Sequence, residues 1–345
     1  MGIWIGEKYI SNGYTRDGGA GFIMRKIRTI AIAMIIAMFV SGCGLSGEKV
    51  LLANEHGLSE DADAASSLAS GRQPWSGSEV CVPDEEVQYE DEEVSAGAAL
   101  LCSLDRPEAV YAKNIYQRMN PASLTTLFTA YVVLQNKELS DKVTVTADEV
   151  SGLWHVSTVG LKEGDQLTIE QLLYGMLLCS GVDAANVLAV ETAGSKDSFV
   201  KMMNEAAAEC GCVDTQFQNP NGLTETGHYT TAYDIYLILH KLAEEERFMN
   251  IISAGTYHAV YQDGEGNQRE ETYASTVRYT EDGISQIGSA GIIGGKTGTT
   301  SSAGHCLALM CSSASGERYL VTILKAKSRD SLYEQIEHIV KKIEK

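Results

Sequence analysis

The run "GGKTGTT" occupies residues 294–300 and lies among strand-like runs: "TYHAVYQ" at 256–262, "HCLALMCSSA" at 305–314 and "RYLVTILKA" at 318–326. Glycines on both sides of Lys296 allow a backbone to approach a ligand closely. Lys296 supplies a cation, and Thr297 and Thr299 supply hydroxyls. That set suits a carboxylate-bearing ligand. The same residues also fit a tight hairpin with an exposed lysine. Upstream, "SAGAALLCSL", "DRPE" and "AVYAKN" give strand, turn and strand from Ser95 onward. Between the two strand-rich ends the pattern is helical. Leu124, Leu127, Phe128, Tyr131 and Val132 recur at helical spacing, and Thr168 with Gln171 forms a capping box before "IEQLLYGMLLCS". "DAANVLAVETAG" and "SFVKMMNEAAAECG" close on Gly194 and Gly211. "TTAYDIYLILHKLAEEE", capped by Thr230 or Thr231, is a further helix, and "SLYEQIEHIVKKIEK" is the last. Helices in the middle and strands at both ends predict an α+β domain over 95–345. Its terminal strands would meet in one antiparallel sheet.

Two further stations carry polar side chains. "NPASLTTLFTA" at 120–130 places Ser123 at a helix start, where backbone N–H groups favour negative charge on an oxygen. Serine is also a routine helix-start residue. "CSGVDAAN" at 179–186 breaks two helices and presents Ser180. It is equally an interhelix turn with Asp183 as the next cap.

The order and spacing of the three stations resemble the penicillin-binding and serine β-lactamase superfamily. Within it the chain is most similar to the low-molecular-weight D-alanyl-D-alanine carboxypeptidases, the S11 serine peptidases. "AVYAKNIYQRMNPASLT", "VGLKEGDQLTIEQLLYGMLLCSG", "NPNGLTETGHYTTAYDI" and "GGKTGTTSSAGHCLAL" extend the likeness over about residues 95–345. The resemblance implies a β-lactamase/transpeptidase-like domain, an antiparallel sheet flanked by helices plus a helical lobe, with its site between the sheet edge and that lobe. The additional C-terminal β domain of many members is expected to be absent. It also implies Ser123 as nucleophile, Ser180 as proton relay, Lys296 as a catalytic cation, and Thr297, Gly298 and Thr299 as substrate-binding positions. Backbone N–H groups of Ser123 and Thr299 would form the oxyanion hole. The implied ligands are peptidoglycan stem peptides ending in D-Ala-D-Ala, and β-lactams; no cofactor is called for.

Two positions depart from the family pattern. The first motif is S-x-x-K, in which i and i+3 share a helix face and the lysine takes the serine proton. Here it reads Ser123-Leu124-Thr125-Thr126, and a threonine hydroxyl cannot accept a proton near neutral pH. The second motif is S-x-N; here it reads Ser180-Gly181-Val182, and valine offers no hydrogen bond. Only Lys296-Thr297-Gly298 is intact. Four readings follow: a carboxypeptidase of impaired turnover, a non-catalytic wall-peptide or partner binder, a β-lactamase, and a bare surface scaffold. The β-lactamase ranks low because no deacylating glutamate stands in clear context.

The N-terminal part is of another kind. "MRKIRTIAIAMIIAMFVSGC", Met24 to Cys43, has a basic start, a short apolar run and a small-residue end, the layout of an export signal. Its "VSGC" resembles a lipobox, which implies lipidation of Cys43 and an exported, lipid-anchored protein on the outer face of the cytoplasmic membrane. Residues 1–23 precede that basic start and fit a mis-assigned upstream extension. Residues 44–94 hold thirteen Asp/Glu against two Lys/Arg and no sustained apolar period, so they are expected to be a flexible acidic tether. The whole chain, 345 residues with a formal net charge of -19, lacks the basic balance of a nucleic-acid binder. Eight cysteines include one close pair, Cys210 and Cys212, with no second pair at metal-ligand spacing, so no zinc site is expected.

Overall fold

The computed structural model describes residues 80, 81, 83, 91–281 and 285–344. The upstream extension, the signal with Cys43, and the tether up to residue 79 lie outside the described residues. Among the described residues no helix is long and apolar enough to cross a membrane.

Strand β1, Ala98–Ser103, is buried at every position. Its side chains alternate, as a strand's must. Ala98, Leu100 and Cys102 join one apolar cluster with the helical lobe, and Ala99 and Leu101 join a second cluster on the other face. That is why its sequence is an unbroken apolar run. β1 pairs with β2, Ala109–Lys113, and with β10, Arg318–Ala326, both antiparallel. With β7 (Gln286–Ile287), β8 (Ala290–Thr300) and β9 (Gly304–Ser312) they form a six-stranded sheet in the order β2-β1-β10-β9-β8-β7. The C-terminal helix, Arg329–Val340, covers one face through Leu332, Tyr333, Ile336, Ile339 and Val340. On the other face lies Ala232–Leu242, and Thr125–Asn136, Ile169–Cys179 and Val182–Ala193 join the same apolar cluster behind it. Burying both sheet faces is the main stabilising term; each fully buried Leu, Ile or Phe contributes about 1.5–3 kcal/mol.

The expected α+β domain with one terminal-strand sheet is present, and the structure adds to and corrects its details. "TYHAVYQ" does not enter that sheet. As β5, Thr256–Gln262, it pairs with β6, Gln268–Ala274, in a second sheet of order β3-β4-β5-β6, where β3 is Lys142–Thr144 and β4 is Gln166–Thr168. Only Ala259 and Tyr261 of β5 are buried. Such a strand covers the lobe's edge and cannot fill the middle of a two-faced sheet. The helix begun by Thr231, whose side chain accepts from the Asp234 N–H, stops at Leu242. A separate helix, Glu246–Ile252, follows it, so "TTAYDIYLILHKLAEEE" is not one helix to its end. The Thr168–Gln171 capping box is formed as expected. Upstream of Ser95, Val80, Cys81 and Val94 are already buried against the domain.

Candidate active site

β7 pairs only with Ala290 and Gly291. Beyond them the outer edge of β8 faces the 3-10 turn Ala122–Leu124 instead of a strand. The approach is close: a Cβ on Gly298 would stand 2.9 Å from Pro121 O and 3.1 Å from Ser123 N. Glycine at 298 therefore lets the sheet edge and the serine turn form the two walls of a cleft. Gly222 backs the same turn from behind; a Cβ there would stand 1.9 Å from Ala122 O.

The turn is strained where it presents the serine. Ala122 has φ +49°, a left-handed conformation that costs a non-glycine residue about 1–2 kcal/mol. Its neighbours hold it there. Ala122 N–H donates to Asn120 Oδ1 at 3.0 Å, and the Thr125 hydroxyl donates to Ala122 O at 2.8 Å. The Thr125 oxygen is 2.8 Å from His228 Nε2, and Gln218 N–H donates to His228 Nδ1. Burial lowers His228 to about 4, so the ring is neutral at pH 7. Nδ1 is then the acceptor and Nε2–H donates to Thr125.

Ser180 closes the helix Ile169–Cys179 in a left-handed conformation, φ +57°. Its hydroxyl accepts from Lys296 Nζ, which also donates to Thr297 O at 2.9 Å. Lys296 is 1% exposed. Burial is the main cause of its ammonium being lowered to about 7, against a small opposing effect of Cys179. The exposed-hairpin alternative is thus excluded: "GGKTGTT" is the C-terminal part of an 11-residue strand, in register Lys296↔Ala308 and Thr297↔Leu307. At neutral pH an amine tuned this way exchanges protons readily.

Ser123, Ser180, Thr297, Gly298 and Thr299 line a single cavity of about 440 Å³. Thr126 and Val182 are not among its lining residues. Thr126 is 1% exposed, and its hydroxyl donates to Ser123 O at 2.7 Å. It satisfies its own helix start and leaves the Ser123 side chain without a partner from that position. Val182 is buried at the first turn of Val182–Ala193, and its N–H donates to Ser157 O. Asp183 does not cap that helix; Gly181 occupies the cap position. The Asp183 carboxylate accepts from the N–H groups of Val159, Gly160 and Leu161, pinning the loop that carries Ser157 over the cavity.

Sequence reasoning missed Ser157, Thr276, His305 and Arg329, which also line the cavity. Thr276 Oγ1 lies 2.6 Å from Thr297 Oγ1, and Thr299 Oγ1 lies 3.4 Å from His305 Nδ1. Arg329 hydrogen-bonds Tyr333 and stands at the first position of the C-terminal helix. A cation is disfavoured at a helix N-terminus, and that misplacement was the available signal. The lining contains no Asp or Glu, so the cavity is suited to an anionic group.

A family model described as D-alanyl-D-alanine carboxypeptidase, peptidase S11, matches residues 85–328. The chain belongs to this family. The S11 domain is 33% identical over 218 residues to the D-alanyl-D-alanine carboxypeptidase DacF of Bacillus subtilis, covering 61% of this chain and 53% of that one. It is 30% identical over 229 residues to the D-alanyl-D-alanine carboxypeptidase of Streptomyces sp. K15, covering 64% of this chain and 77% of that one. The crystal structure of the Streptomyces K15 DD-transpeptidase superposes with a TM-score of 0.66 at 26% identity. The match covers 74% of this chain and 97% of the other. The S11 chain thus spans about half the length of its Bacillus relative.

Proposed function

We propose that the cavity receives the end of a peptidoglycan stem peptide terminating in D-Ala-D-Ala, and that the domain turns it over slowly. The observation that carries this reading is an asymmetry within one cavity. Ser123, Ser180, Thr297 and Thr299 face the same space, whereas the hydroxyl at the base position, Thr126, is engaged with backbone. Arg329 and the β8 hydroxyls supply complementary groups for a terminal carboxylate. Ser123 Oγ would attack the carbonyl of the penultimate D-Ala, and the terminal D-Ala would leave with a proton. With no amine at 126, the remaining route for the Ser123 proton runs through Ser180 to Lys296, whose buried amine is partly neutral near pH 7. A positioned base contributes about 10²–10⁴ in rate, so a longer relay predicts weak turnover and substantial binding.

The second reading is a purely binding protein, favoured by the same Thr126 and by the apolar Val182. The β-lactamase reading is the weakest, because no carboxylate lines the cavity to activate a deacylating water. For anchoring, the "VSGC" signal supports lipidation at Cys43, with the domain outside the cytoplasmic membrane. Fluorescent penicillin decides the first point. The reading expects saturable binding with a slow, faint covalent band that is lost in Ser123→Ala. A rapid, strong band, or no competition by a D-Ala-D-Ala peptide, would overturn it. Metabolic labelling with a fatty acid, lost in Cys43→Ala, tests the anchor.

A further inference from the structure

Seven cysteines lie among the described residues, and their thiols are not equivalent. Cys179 donates to Ala274 O, Cys212 to Asp234 O and Cys306 to Ala303 O. Each of these has a backbone partner. Cys81 and Cys102 instead hydrogen-bond each other, side chain to side chain. Both are buried in the same apolar cluster.

An independent set of contacts fixes them there. The Cys81 N–H donates to Tyr236 Oη at 3.0 Å, and the Tyr236 hydroxyl reaches Ser103 O at 3.5 Å. One tyrosine thus ties the backbone at 81 to the end of β1, where Cys102 stands. Two residues on, Pro83 O accepts from Tyr116 Oη at 2.6 Å. Tyr116 and Tyr233 meet edge to face and Tyr233 and Tyr236 pack tilted, with ring centroids 5.2 and 5.9 Å apart. They make a wall against which the entering chain lies. The two thiols are brought together by groups other than themselves.

We propose that Cys81 and Cys102 form a disulfide that staples the chain entering the domain to the central strand β1. The oxidant is a disulfide, whether of an oxidoreductase or of a small thiol such as glutathione. One thiolate attacks that disulfide, forming a mixed disulfide and releasing one thiol. The second cysteine then displaces the other thiol. Two protein thiols and one external disulfide give one protein disulfide and two external thiols, so atoms and electrons balance. The contact with Cys102 holds the Cys81 thiol below its ordinary value. The same contact, with burial, holds Cys102 well above its own. The bond would transfer any pull on the preceding segment to a fully buried strand in the middle of the sheet. The export-signal layout at 24–43 agrees with an oxidising destination.

The test uses the full chain. It is reduced, denatured and refolded in a glutathione redox buffer, then alkylated without reductant, digested and mapped by mass spectrometry. A linked peptide pair carrying Cys81 and Cys102 is expected. Both cysteines alkylated, or either one joined to a different cysteine, overturns the proposal. Thermal unfolding gives a second readout: reductant should lower the melting temperature of the native protein by about 5–10 °C. Cys81→Ala, which leaves the β1 core unchanged, should abolish that shift. Persistence of the shift in Cys81→Ala would assign it to another bond and overturn the proposal.

Discussion

The serine turn at 122–126 and the Ser180–Lys296 pair meet one cavity through Ser123 and Ser180 and differ in what they keep. At the turn the backbone is preserved. Ala122 holds a strained conformation braced by Asn120, Thr125 and His228, but the side chain one turn after Ser123 is a threonine bonded to its own helix. At the pair the chemistry is preserved. Lys296 is buried without a carboxylate among its bonded partners and donates to Ser180. Keeping a lysine buried and a non-glycine residue left-handed both cost stability. Such costs are typical of a site built for a ligand and unusual in a bare scaffold. The difference separates presenting a serine to the cavity, which this turn does, from offering its hydroxyl a base, which Thr126 does not.

Giving the turn an amine is the most forceful way to break the contrast. Thr126→Lys should raise the rate of covalent fluorescent-penicillin labelling by about 10²–10⁴. No gain in a folded variant would mean that position 126 is not what limits acylation. Gly222→Ala attacks the turn's backbone instead. The new Cβ meets Ala122 O, and denaturant unfolding should show a loss of about 2–4 kcal/mol. Lys296→Met attacks the other side. It should reduce residual labelling about 10- to 100-fold while stabilising the fold, because a cationic group no longer has to be buried.

The sign of the pH effect follows from the same lysine. Its folded value, about 7, lies below the ordinary lysine value of 10.5. Between those limits the unfolded chain binds more protons than the folded one. Stability from this group therefore rises with pH across that window and is lowest at and below about pH 7. Lys296→Met should flatten that slope. Labelling has its own dependence: it should rise about tenfold per unit as pH approaches 7 from below and then level off. A profile without a midpoint near 7 would remove Lys296 from the proton route.

Much of this was legible from residue patterns. β1 and β2, the Thr168–Gln171 box, Gly194 and, of the cavity lining, Ser123, Ser180, Thr297, Gly298 and Thr299 follow from period, capping and motif order. The second sheet was hidden because β6, "QREETYA", is charged and mostly exposed; its pairing with β5 is a long-range fact that no local period reports. Burial of Lys296 was hidden for the same reason, since strand and hairpin share the sequence "GGKTGTT". Asp183 looked like a cap, but its partners lie more than twenty residues upstream. The attachment at Cys81 depends on Tyr116, ahead of the serine turn, and on Tyr233 and Tyr236 of the helix Ala232–Leu242, two segments more than a hundred residues apart.

The most direct test of the account is D-Ala release from a stem pentapeptide, measured for the native domain and for the double variant Thr126→Lys with Val182→Asn. The account predicts slow release by the native protein and a rate about 10²-fold higher or more in the double variant. Equal rates in the two proteins would contradict it.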